Sequence, residues 1–102
     1  MARATLSIVM PSFNQARFLE EAIGSVLSQR DRVKEFFVLD AGSTDGSREI
    51  IEKHAGQIDW WRSEPDGGQS NAIADGFARA TGDVITWLNS DDALLPGAIN
   101  AL

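Results

Sequence analysis

An α/β fold built on a parallel sheet is what this sequence predicts, and three observations predict it. Apolar runs at 6–10, 36–39 and 84–88 are short and continuous, as in strands covered on both faces. Longer stretches at helical spacing separate them. Each run ends on turn formers and polar side chains. Together these describe right-handed βαβ units in a Rossmann-like three-layer α/β/α arrangement. The chain has 102 residues, room for a single domain with a modest core.

The first strand is expected over Leu6–Met10, followed by a turn at 11–14 that delivers Asn14 as an N-cap. A helix from about Arg17 to Gln29 then places Phe18, Leu19, Ala22, Ile23, Val26 and Leu27 on one stripe. A charged loop at 30–34 leads into the second strand, Phe36–Leu39, which ends on Asp40. The turn at 41–46 opens a short helix over about Ser47–His54, with Ile50 and Ile51 inward and Asp45 capping it. A third strand at Ile58–Trp61 is weakened by Asp59 and is expected at the sheet edge. Beyond the turn at 64–68, a helix from Gln69 to Thr81 puts Ala72, Ile73, Gly76, Phe77 and Ala80 on one face. Gly82 stands where a left-handed residue closes a helix. The fourth strand, 84–88, carries Trp87 as a core residue.

Composition narrows the function. A net charge of −6 argues against a nucleic-acid backbone as partner, which needs a basic face. There is no cysteine, so disulfides and thiolate metal sites are excluded, and a cytoplasmic location is expected. No apolar run reaches membrane-spanning length. His54 has no histidine or cysteine partner and reads as a helix C-terminal cation. Of Trp60 and Trp61, one is expected to pack and the other to lie at the rim.

The chemistry gathers at strand ends. In open α/β sheets ligands bind outside the carboxyl ends of strands, where the strand order reverses. Three polar turns, 11–14, 40–45 and 89–92, fall on that edge. The last holds Asp91-Asp92, adjacent acids that repel unless a cation lies between them. Capping the helix entered at Pro96 would be a plainer use for the pair, but the convergence of three turns favours a hard divalent ion, Mg²⁺ or Mn²⁺. After the first strand there is neither a P-loop nor a dinucleotide fingerprint. Residues 40–46 lack the acidic spacing of a calcium loop, and a receiver domain would need an acidic pair where Pro11-Ser12 stands.

Five segments in order carry a resemblance over nearly the whole chain. They are residues 7–14 (SIVMPSFN), 37–47 (FVLDAGSTDGS), 66–73 (DGGQSNAI), 80–83 (ATGD) and 87–92 (WLNSDD), the last continuing to Pro96-Gly97. The chain resembles the amino-terminal, donor-binding half of a family 2 glycosyltransferase with the GT-A fold. That resemblance implies strand order 3-2-1-4 and metal-dependent, inverting transfer of a sugar from a nucleotide-diphospho-sugar, a UDP-sugar foremost, to a saccharide or lipid-linked acceptor. It implies Asp92 as the direct metal ligand of a DXD-type motif, with Asp91 at the ribose or the metal. Pro11 and Ser12 would line the base pocket with backbone groups, and Asp40 would reach the base or ribose. Gln69 and Asn71 would face the sugar donor, with the turn at Gly67-Gly68 letting backbone approach it.

Two positions depart from the family's pattern: Asn89 replaces the first motif acid, and Ala41 stands where a second acid beside Asp40 is common. The resemblance therefore fixes neither base nor sugar. Nothing in 1–102 reads as the general base, since 93–102 holds no ionisable side chain. The single domain 1–102 is thus expected to be a partial one, continued by an acceptor half, and to bind the sugar donor without transferring sugar. A non-catalytic nucleotide-binding or scaffold fragment is the alternative. An unpaired fourth strand would favour a homo-oligomer, and the location would extend to the inner face of a membrane.

Overall fold

A computed structural model describes residues 5–65 and 69–89, with the side chains of Gln69 and Ser70 outside that description. Four strands form one sheet: β1 (Leu6–Ser12), β2 (Glu35–Asp40), β3 (Trp60–Ser63) and β4 (Val84–Trp87). Three helices alternate with them: α1 (Ala16–Leu27), α2 (Ser47–Lys53) and α3 (Gln69–Arg79). All pairings are parallel and the order is β3-β2-β1-β4, as expected.

Alternation along β1 divides the core into two layers. Ile8 and Met10 face α1 and α2, joining Leu19, Ala22, Ile23, Val26, Phe36, Val38 and Ile51. Val9 faces the other way and meets Phe37, Leu39 and Ala72, with Phe77 and Ala80 of α3 at the margin. Both faces of β1 and β2 are therefore dry, which is why their sequences are apolar throughout rather than alternating.

Several expectations are corrected. Phe18 is 42% exposed, because the buried stripe of α1 runs through Leu19, Ala22, Ile23 and Val26 and leaves Phe18 beside it. There the Arg17 guanidinium covers its ring at 5.4 Å. Trp87 is 50% exposed and not core, since β4 is an outer strand among the described residues, and its ring lies tilted against that of Phe77. Leu88, one residue on, packs into the opposite layer. Strand β3 begins at Trp60 rather than Ile58: Asp59 accepts the Phe36 N–H on its carboxylate at 2.7 Å and gives its own N–H to Phe36 O, so the ladder proper starts one residue later. Asp59 thus opens the strand instead of interrupting it. Trp60 and Trp61 are both half-buried, Trp60 edge-on to Phe37 and beneath the Arg79 guanidinium, Trp61 against the α1 layer.

Gly82 does not adopt the left-handed conformation; the positive-φ glycines of the described residues are Gly42 and Gly46. Its glycine requirement is one of space. A Cβ there would lie 2.5 Å from Ser7 Oγ and 2.9 Å from Ser7 N. This contact belongs to a tie at the rim opposite the polar turns. Gly82 N–H donates to Ser7 Oγ, Ser7 donates to Glu35, and Thr81 N–H donates to the same Glu35 oxygen at 2.6 Å. Burial pushes the Glu35 carboxyl up, but the hydrogen bonds from Thr81 and Ser7 outweigh it and hold the group below its ordinary value. On α2, Lys53 and then His54 do the same for Glu20, with His54 at the helix end and 3.2 Å from that carboxylate.

Candidate functional site

The carboxyl ends of the strands form one rim, and the register aligns three side chains across it: Ser12 beside Asp40, and Asp40 beside Ser63. Asp40 is fully buried, at 0% exposure. A buried carboxylate is costly unless its lone pairs are filled. Here Oδ1 accepts the Ser43 hydroxyl at 2.5 Å, and Oδ2 accepts the Ser43 N–H at 2.8 Å and the Ser63 hydroxyl at 2.9 Å. Asp40 thereby fastens the turn after β2 to the end of β3. Gly42 completes the joint: its φ is +84°, and a Cβ would press on Pro65 at 3.1 Å.

Pro11 and Ser12 belong to β1, not to the turn expected at 11–14. Val9 O accepts from Leu88 just beyond β4, and Ser12 O accepts from Ala41 beyond β2. Backbone direction alternates along a parallel strand, so Pro11 faces β4, where it has no N–H to offer. Among the described residues the β1–β4 ladder runs no farther than the Leu88 N–H to Val9 O bond. The Ser12 carbonyl is engaged by Ala41, and its backbone lies in the β1–β2 ladder. The residue is 4% exposed, and Ser12 Oγ has no hydrogen-bond partner among the described residues.

Asn14 does not cap α1. Gln15 holds the cap position without a side-chain bond, and Asn14 lies in the left-handed region at φ +50°. Its amide oxygen instead accepts the Thr44 N–H at 3.0 Å, and its own N–H donates to Ser43 Oγ at 2.7 Å. Asp45 reaches the other way, accepting the Ala16 N–H of α1 at 3.0 Å on Oδ2. Its Oδ1 takes the N–H and hydroxyl of Ser47 at the start of α2, so it serves two helices, where the sequence suggested one. The Ser47 hydroxyl and then these backbone donors lower the Asp45 carboxyl below its usual range, against the pull of burial.

Of the other sequence-predicted residues, Gln69 opens α3 and Asn71 is exposed in its first turn. Asp91 and Asp92, the expected metal ligands, lie outside the described residues; β4 and Asn89 bring the chain to the Pro11 side of the rim just before them. Among the described residues no three acids or histidines cluster as a metal site. Sequence reasoning missed Phe13, which is 57% exposed immediately beyond Ser12. Its signal was present: an unburied aromatic in a turn, next to a strand end that binds ligands in such sheets.

A 3-2-1-4 parallel sheet with helices on both faces is the architecture of a partial GT-A domain, and the comparisons agree. Residues 7–102 match the model for glycosyl transferase family 2, and the chain belongs to that family. An uncharacterized glycosyltransferase of Nostoc sp. is 38% identical over 94 residues, covering 89% of this chain and 29% of its own. The GalNAc(5)-diNAcBac-PP-undecaprenol beta-1,3-glucosyltransferase of Campylobacter jejuni is 31% identical over 105 residues, covering 95% of this chain and 33% of its own. Among solved structures, glucosyl-3-phosphoglycerate synthase from Mycobacterium tuberculosis, in complex with Mn²⁺, UDP and glucosyl-3-phosphoglycerate, superposes with a TM-score of 0.72 at 26% identity. That match covers 88% of this chain and 36% of the synthase. The chain thus spans about a third of the length of the relatives it matches.

Proposed function

We infer that this chain is the donor-binding part of a glycosyltransferase that moves a sugar from a nucleoside diphosphate, UDP foremost, to a hydroxyl of a saccharide or lipid-linked acceptor. The observation that carries this reading is the buried, unpartnered Ser12 hydroxyl at the carboxyl end of β1, beside Asp40 of β2. A buried hydroxyl without a partner costs free energy that a ligand can return. Ser12 supplies that hydroxyl to the nucleotide, and Phe13 offers a flat apolar face to the base. Asp40 acts by holding Ser43 and Ser63 in place; Gln69 and Asn71 approach from α3, and Asp91 contacts the ribose or the metal.

Two adjacent carboxylates, with Asn89 before them, are oxygen donors that suit Mg²⁺ or Mn²⁺, and Asp92 with Asp91 would hold the ion. When bound, it neutralises charge on the departing diphosphate. Transfer is a single displacement with inversion. The acceptor oxygen bonds to the anomeric carbon as the bond to the diphosphate breaks, and the hydroxyl proton passes to a base that lies outside this chain. The mycobacterial synthase with Mn²⁺ and UDP supports the cofactor and nucleotide. The Campylobacter relative, named for an undecaprenol-linked substrate, supports a lipid-linked acceptor, and a cytoplasmic place peripheral to a membrane's inner face is the location that goes with this reading. Asp92→Ala should lose at least about tenfold in UDP affinity in the presence of Mn²⁺, and the Mn²⁺ dependence with it. Calorimetry showing the variant equal to the parent would remove the metal from this site. The chain alone should bind UDP-sugar yet transfer nothing at an enzymatic rate, and sugar transfer detected by mass spectrometry would place the base within 1–102.

The outer edge of β4 supports association of two copies. Val84 and Trp87 are exposed along that strand, which is an outer one among the described residues, and an apolar outer strand favours pairing. Light scattering of the isolated chain should give a dimer or larger species, and a monomer at high concentration would rule this out.

A further inference from the structure

The turns after β1 and β2 belong to different βαβ units, and the last ladder bond between their strands is Ala41 N–H to Ser12 O at 2.9 Å. Beyond it nothing in a parallel sheet fixes one turn against the other. Yet three further bonds join them. Asn14 N–H donates to Ser43 Oγ at 2.7 Å, Thr44 N–H to Asn14 Oδ1 at 3.0 Å, and Ala16 N–H to Asp45 Oδ2 at 3.0 Å. Each turn supplies acceptors to the other, so the clasp is reciprocal. Asn14 holds its part from a left-handed backbone that asparagine tolerates far better than most residues. All three bonds are exposed, and neither Asn14 nor Asp45 is part of either core layer. The core therefore does not account for this stitching.

We propose that Asn14 and Asp45 are positioning residues: they clasp the two turns into one wall, carrying Phe13 and the 41–44 backbone, before a nucleoside diphosphate arrives. This rests on the sugar-donor reading above. A wall formed in advance spares binding the ordering of two loops, so the clasp should appear in affinity more than in stability.

The test uses the chain with UDP or GDP plus Mn²⁺, followed by calorimetry, with thermal unfolding measured in parallel. Asn14→Gly keeps the left-handed backbone and deletes the acceptor; it should weaken nucleotide binding about tenfold with little change in the unfolding midpoint. Asn14→Asp restores an acceptor in a residue that also tolerates that backbone, and should recover affinity to within about threefold of the parent. Asp45→Ala should weaken binding as Asn14→Gly does. If the parent binds and Asn14→Gly binds equally well, the clasp proposal falls and the sugar-donor reading stands. If affinity is lost only in step with stability, or Asn14→Asp does not restore it, the role is merely structural and the proposal is overturned. A parent that binds neither nucleotide overturns both.

Discussion

Asp40→Ala is expected to lower the unfolding free energy by about 3–5 kcal/mol, because it removes a buried carboxylate on which three part-buried hydrogen-bond donors converge. The Ser43 N–H, the Ser43 hydroxyl and the Ser63 hydroxyl all end on this carboxylate, and Asp40 is wholly buried. A domain of this size has about 5–15 kcal/mol in total, so the variant should sit near the edge of folding. Asp40→Asn keeps the shape and one acceptor oxygen and should lose less. Denaturant titration of the three proteins measures both steps. Equal midpoints for Asp40→Ala and the parent would mean that the carboxylate does not hold this rim together.

The second large effect concerns Gly76, where α3 crosses β1. A Cβ there would stand 2.4 and 2.8 Å from the two γ-methyls of Val9, closer than real Cβ contacts come. Val9 cannot swing aside, since it is β-branched and fully buried between α3 and the sheet. Alanine would gain about 1 kcal/mol of helix propensity. Overpacking of a rigid contact costs about 1–3 kcal/mol and more when neither side can give. Gly76→Ala should therefore be destabilising by about 2 kcal/mol net. Gly24 provides the control, because it sits mid-helix in α1 with nothing within 4 Å of its added Cβ. Gly24→Ala should stabilise by up to about 1 kcal/mol. The same exchange in two helices of one protein should thus shift the unfolding midpoint in opposite directions. A stabilised Gly76→Ala would show that α3 can lift from β1 at little cost.

These two positions also show what was legible in the sequence. The apolar runs of β1 and β2 made the layered arrangement legible, because both faces of those strands are dry and a short apolar run bounded by turn formers conveys that. The helix stripes were legible for the same reason, apart from Phe18, which lies at the margin of its stripe. Trp87 was misread because an aromatic in an apolar run looks the same at a sheet's edge as at its centre; only strand order decides. At the rim, the strand-end location of Pro11, Ser12 and Asp40 was readable, but their partners were not. Asn14 meets Thr44 across 30 residues of chain, and Asp45 meets Ala16 across 29. Capping rules look a few residues along the chain, so they assigned Asn14 to its own helix and gave Asp45 only one. Gly82 was a glycine for reasons of clearance, and a local conformational rule could not foresee Ser7 pressing from the far end of the sequence.

The tie among Ser7, Glu35, Thr81 and Gly82 gives β4 the character of a measuring rod. One end is nailed to the rim opposite the turns at 13–14 and 41–46. From that nail the strand runs Val84–Trp87 beside β1, at about 3.3 Å per residue, before Leu88 and Asn89 carry it past Val9. The place of Leu88 and Asn89 beside β1 is then a matter of counting residues from Gly82, set by distance from a remote anchor.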